Sequence, residues 1–175
     1  MSPNVFPLPP PGKLAVLFPV FIGLGLPVAM LGIALAVGVP RAAWPGVAAG
    51  IMVLPVVAWA VAASIRNRLV EVLPEGLRVR RWPRPKVGAL GEFDLPRARV
   101  VDLDGEPAMR PTFKLAGTWL PGFRSGWFWL RDRRRAYVLL TTARRALFLP
   151  RHDGSAWLLG VERPDALLAA LRARG

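Results

Sequence analysis

Two uncharged runs dominate the first third of this chain: no Asp, Glu, Lys or Arg occurs from Leu14 to Pro40, and none from Ala42 to Ile65. Each exceeds the roughly 18 to 20 apolar residues that an α-helix needs to cross a hydrocarbon core of about 30 Å. A backbone in hydrocarbon must satisfy its own hydrogen bonds, and a run of this length does so as a helix. A cleaved signal peptide has a shorter apolar core and leaves a second run directly behind the first unexplained. The expected form is a helical hairpin occupying residues 14–65, with spans at about 14–39 and 44–65. Pro19, Pro27 and Pro55 lie inside the spans and predict kinks, which neighbouring helices make tolerable. Gly38, Val39, Pro40 and Arg41 supply turn chemistry, Trp44 suits the membrane interface, and Pro45 opens the second helix.

Charge is segregated along the chain, which is how a net charge of +13 coexists with a mean hydropathy of +0.37. All 11 acidic residues follow Ile65, and of the 24 Lys and Arg only Lys13 and Arg41 precede it. The positive-inside rule reads Lys13 before the first span, and Arg66 and Arg68 after the second, as cytoplasmic flanks. Arginine outnumbers lysine 21 to 3 and Ala, Gly, Pro and Leu are abundant, a bias expected of a GC-rich bacterial genome, so the expected location is a bacterial cell membrane, multi-pass, with both termini in the cytoplasm. The chain has no cysteine, so disulfides, thiolate metal sites and cysteine nucleophiles are excluded.

Within the second run, Gly46 to Gly50 (GVAAG) matches the small-xxx-small pattern that lets membrane helices approach closely. Two partners suit it: Gly32 and Ala36 of the first span, or the same helix of a second chain. The covalently attached partner is the nearer one. Gly23 to Gly25 (GLG) lacks the preceding strand that a dinucleotide-binding loop requires.

Residues 1–13 are rich in proline and read as an extended N-terminal tail. Beyond Arg66 the pattern changes to short alternating runs separated by turn residues, as in a small β-domain. LVEVL (69–73) and LRVRRW (77–82) flank Pro74, Glu75 and Gly76, with Leu77 and Val79 on one face and Arg78 and Arg80 on the other. ARVVDL (98–103) forms a strand, residues 105–117 read as irregular, and strands follow at Trp127–Leu130 and Tyr137–Thr141 around a turn at Asp132. ALFLP (146–150) and AWLLGV (156–161) pair across RHDGS, whose Asp153-Gly154 is a strong hairpin signal. The chain closes with an amphipathic helix over 164–174: Pro164 at its first position, Asp165 in its first turn, and a stripe of Leu167, Leu168 and Leu171.

A transmembrane hairpin followed by about six or seven strands and a C-terminal helix resembles the membrane-anchored bacterial pleckstrin-homology-like (PH-like) proteins. The likeness is carried by LPEGLRVRRW (73–82), FDLPRARVVDL (93–103), GTWLPGFRSGWFWL (117–130) with structural glycines at Gly117, Gly122 and Gly126, and ERPDALLAAL (162–171). It implies an α+β unit over 66–175, a mainly antiparallel PH-like barrel or sandwich from about Leu69 to Val161 capped by the helix. Lys114 fills only loosely the basic position expected ahead of the glycines.

Chemistry is sparse. His152 is the sole histidine, and its neighbours Asp153 and Ser155 share one turn with it, a poor arrangement for nucleophile, base and orienting group. Glu92, Asp94, Asp102, Asp104 and Glu106 are interleaved with Arg97 and Arg99 and lack the spacing of a cation-binding loop. The aromatic residues at 119, 123, 127, 128 and 129 read as core rather than as a base-stacking platform. No catalytic residue, metal ligand, cofactor or small-molecule substrate is expected.

What remains is the excess of arginine. Arg131, Arg133, Arg134 and Arg135 form a knot at a hairpin tip, and Arg78, Arg80 and Arg81 form a second basic edge nearer in sequence to the membrane. The expected function is a membrane-anchored, non-catalytic interaction module whose basic face meets anionic lipid headgroups or a protein partner. A membrane-tethered nucleic-acid-binding domain and a subunit or scaffold of a larger complex are the alternatives, and nucleic acid trails the first reading. Homo-oligomerisation stays open.

Overall fold

A computed structural model of the chain describes residues 5–65, 68–80 and 84–174. Arg66 and Arg81 lie outside the described residues. Contacts divide the chain into two compact units, Lys13–Arg66 and Met1–Gly12 with Asn67–Gly175.

The first unit is helical. Helix α1 (Lys13–Val20) widens into a π-turn at Phe21–Gly25 and continues as α2 (Leu26–Val37). In that turn Leu26 N–H donates to Phe21 five residues back, just before Pro27, which has no N–H to offer the carbonyl of Gly23. Helix α3 (Trp44–Ile65) returns. Both spans, Lys13–Val37 with 25 residues and Arg41–Ala63 with 23, are long and apolar enough to cross a membrane. Their side chains face outward: Leu14, Val28, Leu35, Met52 and Trp59 are 62–73% exposed, a surface that water disfavours and lipid does not. The hairpin closes where a Cβ on Gly23 would come within 2.8 Å of the Ala58 methyl, and one on Gly50 within 2.7 Å of Met30 Cε. The expected seam of Gly46 and Gly50 on Gly32 and Ala36 is therefore corrected: Gly50 meets Met30, while Gly46 and Gly32 face open space.

Among the described residues the second unit holds ten strands in two sheets and no closed barrel. Strands β1 (Val5–Pro7), β2 (Leu69–Leu73), β3 (Gly76–Val79) and β4 (Lys86–Ala89) make one sheet in that order, antiparallel throughout. The other has the order β5 (Arg99–Asp102), β9 (Arg145–Pro150), β10 (Ala156–Leu159), β8 (Arg135–Leu140), β7 (Phe123–Leu130), β6 (Pro111–Leu120). All its neighbours are antiparallel except β10 and β8, which run parallel because the β9–β10 hairpin inserts β10 beside β8.

The two sheets share a core. Val70, Val72, Leu77 and Val79 from the first meet Tyr137, Leu139, Leu147, Leu149, Trp157 and Leu159 from the second, and Leu167 and Leu171 of helix α4 (Pro164–Arg172) close it. Trp157, 1% exposed, makes an edge contact with Phe93 (5.2 Å) and a tilted one with Tyr137 (5.3 Å). The opposite face of the larger sheet buries Phe128, Leu130, Val138 and Leu158 with Leu103 and Met109 of the connection between β5 and β6. That connection is held at both borders of the sheet, by Leu103 N–H to Arg144 and by Arg131 N–H to Arg110.

Two further expectations need correction. The proline-rich segment is not a free tail: Val5–Pro7 pairs with Leu69–Glu71, Phe6 is 4% exposed in the shared core, and Glu162 N–H donates to Pro7. Proline suits this place because an edge strand has donors it need not use. Residues 111–120, read in part as irregular, form the longest of the described strands. It borders β7 alone, most of its residues are exposed, and register shifts at Pro111/Phe113 and Lys114/Ala116 erase the alternation by which a strand is recognised in sequence.

Candidate functional site

The β-unit is continuous with the apolar helices at two places, after Gly12 and before Arg68, and both dock on one turn. Gly12 N–H donates to the carbonyl of Gly122 (3.2 Å), between β6 and β7. Thr142, in the turn between β8 and β9, donates its hydroxyl to Pro10 (3.1 Å). Arg68 donates to Ser125 Oγ and lies 4.4 Å from the centre of the Phe123 ring. Gly122 permits this approach, since its φ is +75° and a Cβ there would stand 2.8 Å from Gly12 Cα. Gly117 and Gly126 face each other across β6 and β7 at φ +136° and +132°, and a Cβ on either would press into the opposite carbonyl. All three glycines singled out in the sequence thus sit at backbone-to-backbone contacts.

The arginine knot forms the tip of the β7–β8 hairpin, as expected. Leu130 and Arg134 close the loop, Arg133 takes the left-handed conformation (φ 67°), and Asp132 accepts from Arg134 N–H (3.0 Å). Arg131, Arg133, Arg134 and Arg135 are all exposed. Arg134 pairs with Asp132 (2.8 Å) and lies over Phe148, whereas Arg135 lies 5.2 Å from the Trp127 ring. The knot is extended by residues distant in sequence. A shallow cavity of about 430 Å³ is lined by Trp127, Trp129, Arg133, Arg134, Arg135 and Arg151, with Asp153 at its border. Lys86 Nζ also stands over Trp127, at 5.7 Å.

The position of this cluster is as informative as its charge. Strand β7 runs from Phe123, at the turn that receives Gly12 and Arg68, to Leu130, at the knot. At about 3.3 Å per residue the two ends are about 20 Å apart, more than two screening lengths at physiological salt. The second basic edge lies nearer the docking turn: Arg80 N–H donates to Leu69 (2.8 Å). Its charge is partly offset, since Arg78 (3.9 Å) and Arg80 (3.8 Å) share Glu71. The two expected edges therefore belong to different sheets.

Five of the carboxylates singled out in the sequence are paired. Ser155 donates to Asp153 (2.6 Å), as does Arg151 (2.6 Å), and the Ser155 hydroxyl above all holds Asp153 below the ordinary carboxylate range. Glu92 pairs with Arg151 (2.9 Å), Asp94 with Arg97 (3.4 Å), and Asp104 with Arg110 (3.0 Å) and Arg144 (3.5 Å). Arg99 grips Glu106 through both guanidinium nitrogens (2.8 and 2.6 Å); this hydrogen bonding raises Arg99 and lowers Glu106. Among the described residues no three His, Asp or Glu gather as a metal site.

Sequence reasoning missed Lys86 and Arg151 as partners of the knot, and Arg110, Arg124 and Arg144 as a group. Each is brought in by a strand or turn far along the chain, and no local spacing announces it. No family model matches the chain, and neither a curated protein nor a solved structure matches it.

Proposed function

We propose that the chain is a non-catalytic interaction module, anchored in a bacterial cell membrane by two spanning helices, whose cytoplasmic β-unit offers an arginine-rich edge to an acidic protein partner. The observation that carries this reading is the placement of Arg131, Arg133, Arg134, Arg135 and Arg151 at the end of β7 away from the turn that receives Gly12 and Arg68. In this reading that edge faces the aqueous phase, and the anionic headgroups read for these arginines in the sequence are the alternative partner.

The topology has its own support. Residues 5–12 and 68–174 belong to one β-unit, which supports a reading with both ends of the hairpin on one side of the bilayer, and the basic residues after the second span support the cytoplasmic side. The PH-like assignment rests on the residues quoted above, the predominance of antiparallel pairing and the C-terminal helix on the sheet edge. The parallel β8–β10 pair and the N-terminal strand are departures from that plan.

The test uses the full-length protein in a neutral maltoside detergent, with a glutamate decapeptide as probe. Binding that weakens with rising salt and is lost in the variant Arg133→Ser, Arg134→Ser, Arg135→Ser supports the reading. Absence of binding at low salt sinks it, and tighter binding of single-stranded DNA than of the peptide at the same arginines transfers the edge to nucleic acid.

A further inference from the structure

A second cavity, of about 460 Å³, opens beside the docking turn. Its wall is assembled from three separate parts of the chain: Asp104 and Arg110 between β5 and β6, Gly122 and Arg124 at the β6–β7 turn, and Thr141 to Arg144 between β8 and β9. Three arginines stand here with one carboxylate. Arg110 (3.0 Å) and Arg144 (3.5 Å) both reach Asp104, and Arg124 has no carboxylate partner among the described residues.

Arg124 is the unusual member. It is half-buried, packed 4.9 Å from the Trp119 ring, and burial first and the Arg110 charge second hold its guanidinium below its ordinary range. A guanidinium held beside like charge and short of water is stabilised by an anion that satisfies its N–H fork. Thr141 lines the same cavity, and its Oγ1 is buried without a hydrogen-bond partner. The guanidinium forks of Arg124 and Arg144 and the Thr141 hydroxyl outnumber the one carboxylate in the wall, Asp104, and match a tetrahedral oxyanion.

We infer that the cavity formed by Arg110, Arg124, Thr141 and Arg144 binds a phosphate group. Its place favours a lipid headgroup as the source. Gly122 in its wall bonds Gly12, and Thr142 bonds Pro10, one and three residues before the first apolar helix at Lys13. A phosphate at the bilayer surface is therefore within a few residues' reach of the cavity. This preference rests on the membrane-anchored reading; the binding of phosphate as such does not, so the two can fail separately.

Isothermal titration of the full-length protein in maltoside detergent distinguishes the sources with three probes: inorganic phosphate, dioctanoyl phosphatidic acid, and dioctanoylglycerol, which lacks the phosphate. Saturable binding of phosphatidic acid, at least about tenfold tighter than of dioctanoylglycerol, assigns the site to a headgroup, while equal affinities for phosphatidic acid and inorganic phosphate assign it to soluble phosphate. Arg124→Gln should weaken either by about tenfold or more. Arg144→Ser should weaken it too and, because this side chain is 85% exposed, without loss of fold. No saturable binding of either phosphate probe, dioctanoylglycerol binding as tight as phosphatidic acid, or affinities unchanged in both variants would overturn the assignment.

Discussion

Gly12 and Gly122 touch backbone to backbone, an N–H to carbonyl bond of 3.2 Å joining the last residue before the first apolar helix to the turn between β6 and β7. Neither position tolerates a side chain easily, because a Cβ on Gly122 would stand 2.8 Å from Gly12 Cα and one on Gly12 would stand 3.1 Å from Gly122 Cα. Gly122→Ala is expected to lower the stability of the β-unit by about 1–3 kcal/mol through its left-handed φ and the clash together. Thermal unfolding of the full-length protein followed by tryptophan fluorescence checks this; an unchanged midpoint would mean the turn relaxes freely.

The segment before Gly12 is part of the core. Phe6, 4% exposed, fills space among Val70, Val79 and the larger sheet, so Phe6→Ala should cost about 3–4 kcal/mol, far more than removal of a side chain from a free tail. Limited proteolysis reads the consequence: wild-type residues 5–12 should resist cleavage, and those of the variant should not.

Helix α4 is held by Leu167 and Leu171, both fully buried. Leu171→Asp puts an unpaired carboxylate into the seam and should destabilise the β-unit by several kcal/mol, whereas Ala169→Asp, on the exposed face, should change little. Equal effects of the two would remove α4 from the core.

Acid should weaken the fold through two depressed carboxyls. Glu106 is lowered chiefly by the hydrogen bond from Arg99, and Asp153 chiefly by that from Ser155. A folded-state pKa below the unfolded value means that the stabilisation is fully present above the unfolded range of about 4 and is lost as pH falls through the folded value. Both groups are exposed, so the effect is small. Carboxyl titration by NMR should show Asp153 moving up toward its ordinary value in Ser155→Ala, with Glu106 unmoved.

Local chemistry was legible in the sequence. The two apolar runs, the Pro74-Glu75-Gly76 and Asp153-Gly154 turns, the Asp132 tip and the C-terminal helix follow from residues within a few positions of one another, and the structure has them at those places. What the sequence hid is non-local. Phe6 enters the core by pairing with a strand more than sixty residues later, on the far side of both apolar runs. Strand β10 runs parallel to β8 because a hairpin folds back, and nothing in AWLL states which neighbour it will find. The cavity arginines at 110, 124 and 144 meet only once three separate connections have come together, and Arg110 also borders the knot, its carbonyl accepting from Arg131 N–H. Knot and cavity looked equivalent as charge in the sequence; the direction of β7 places Arg124 and Arg131 toward its opposite ends.

That separation is the central claim, and the absence of cysteine makes it measurable, since one introduced thiol can be labelled alone. Two single-cysteine variants of the full-length protein, Pro121→Cys at the docking turn and Arg133→Cys at the knot, are each labelled with a fluorophore and reconstituted in nanodiscs that carry a quencher on the lipid headgroups. The account predicts strong quenching at position 121 and little at 133, about 20 Å away along β7. Quenching that is equal at the two positions, or stronger at 133, would contradict it and return the arginine knot to the membrane surface.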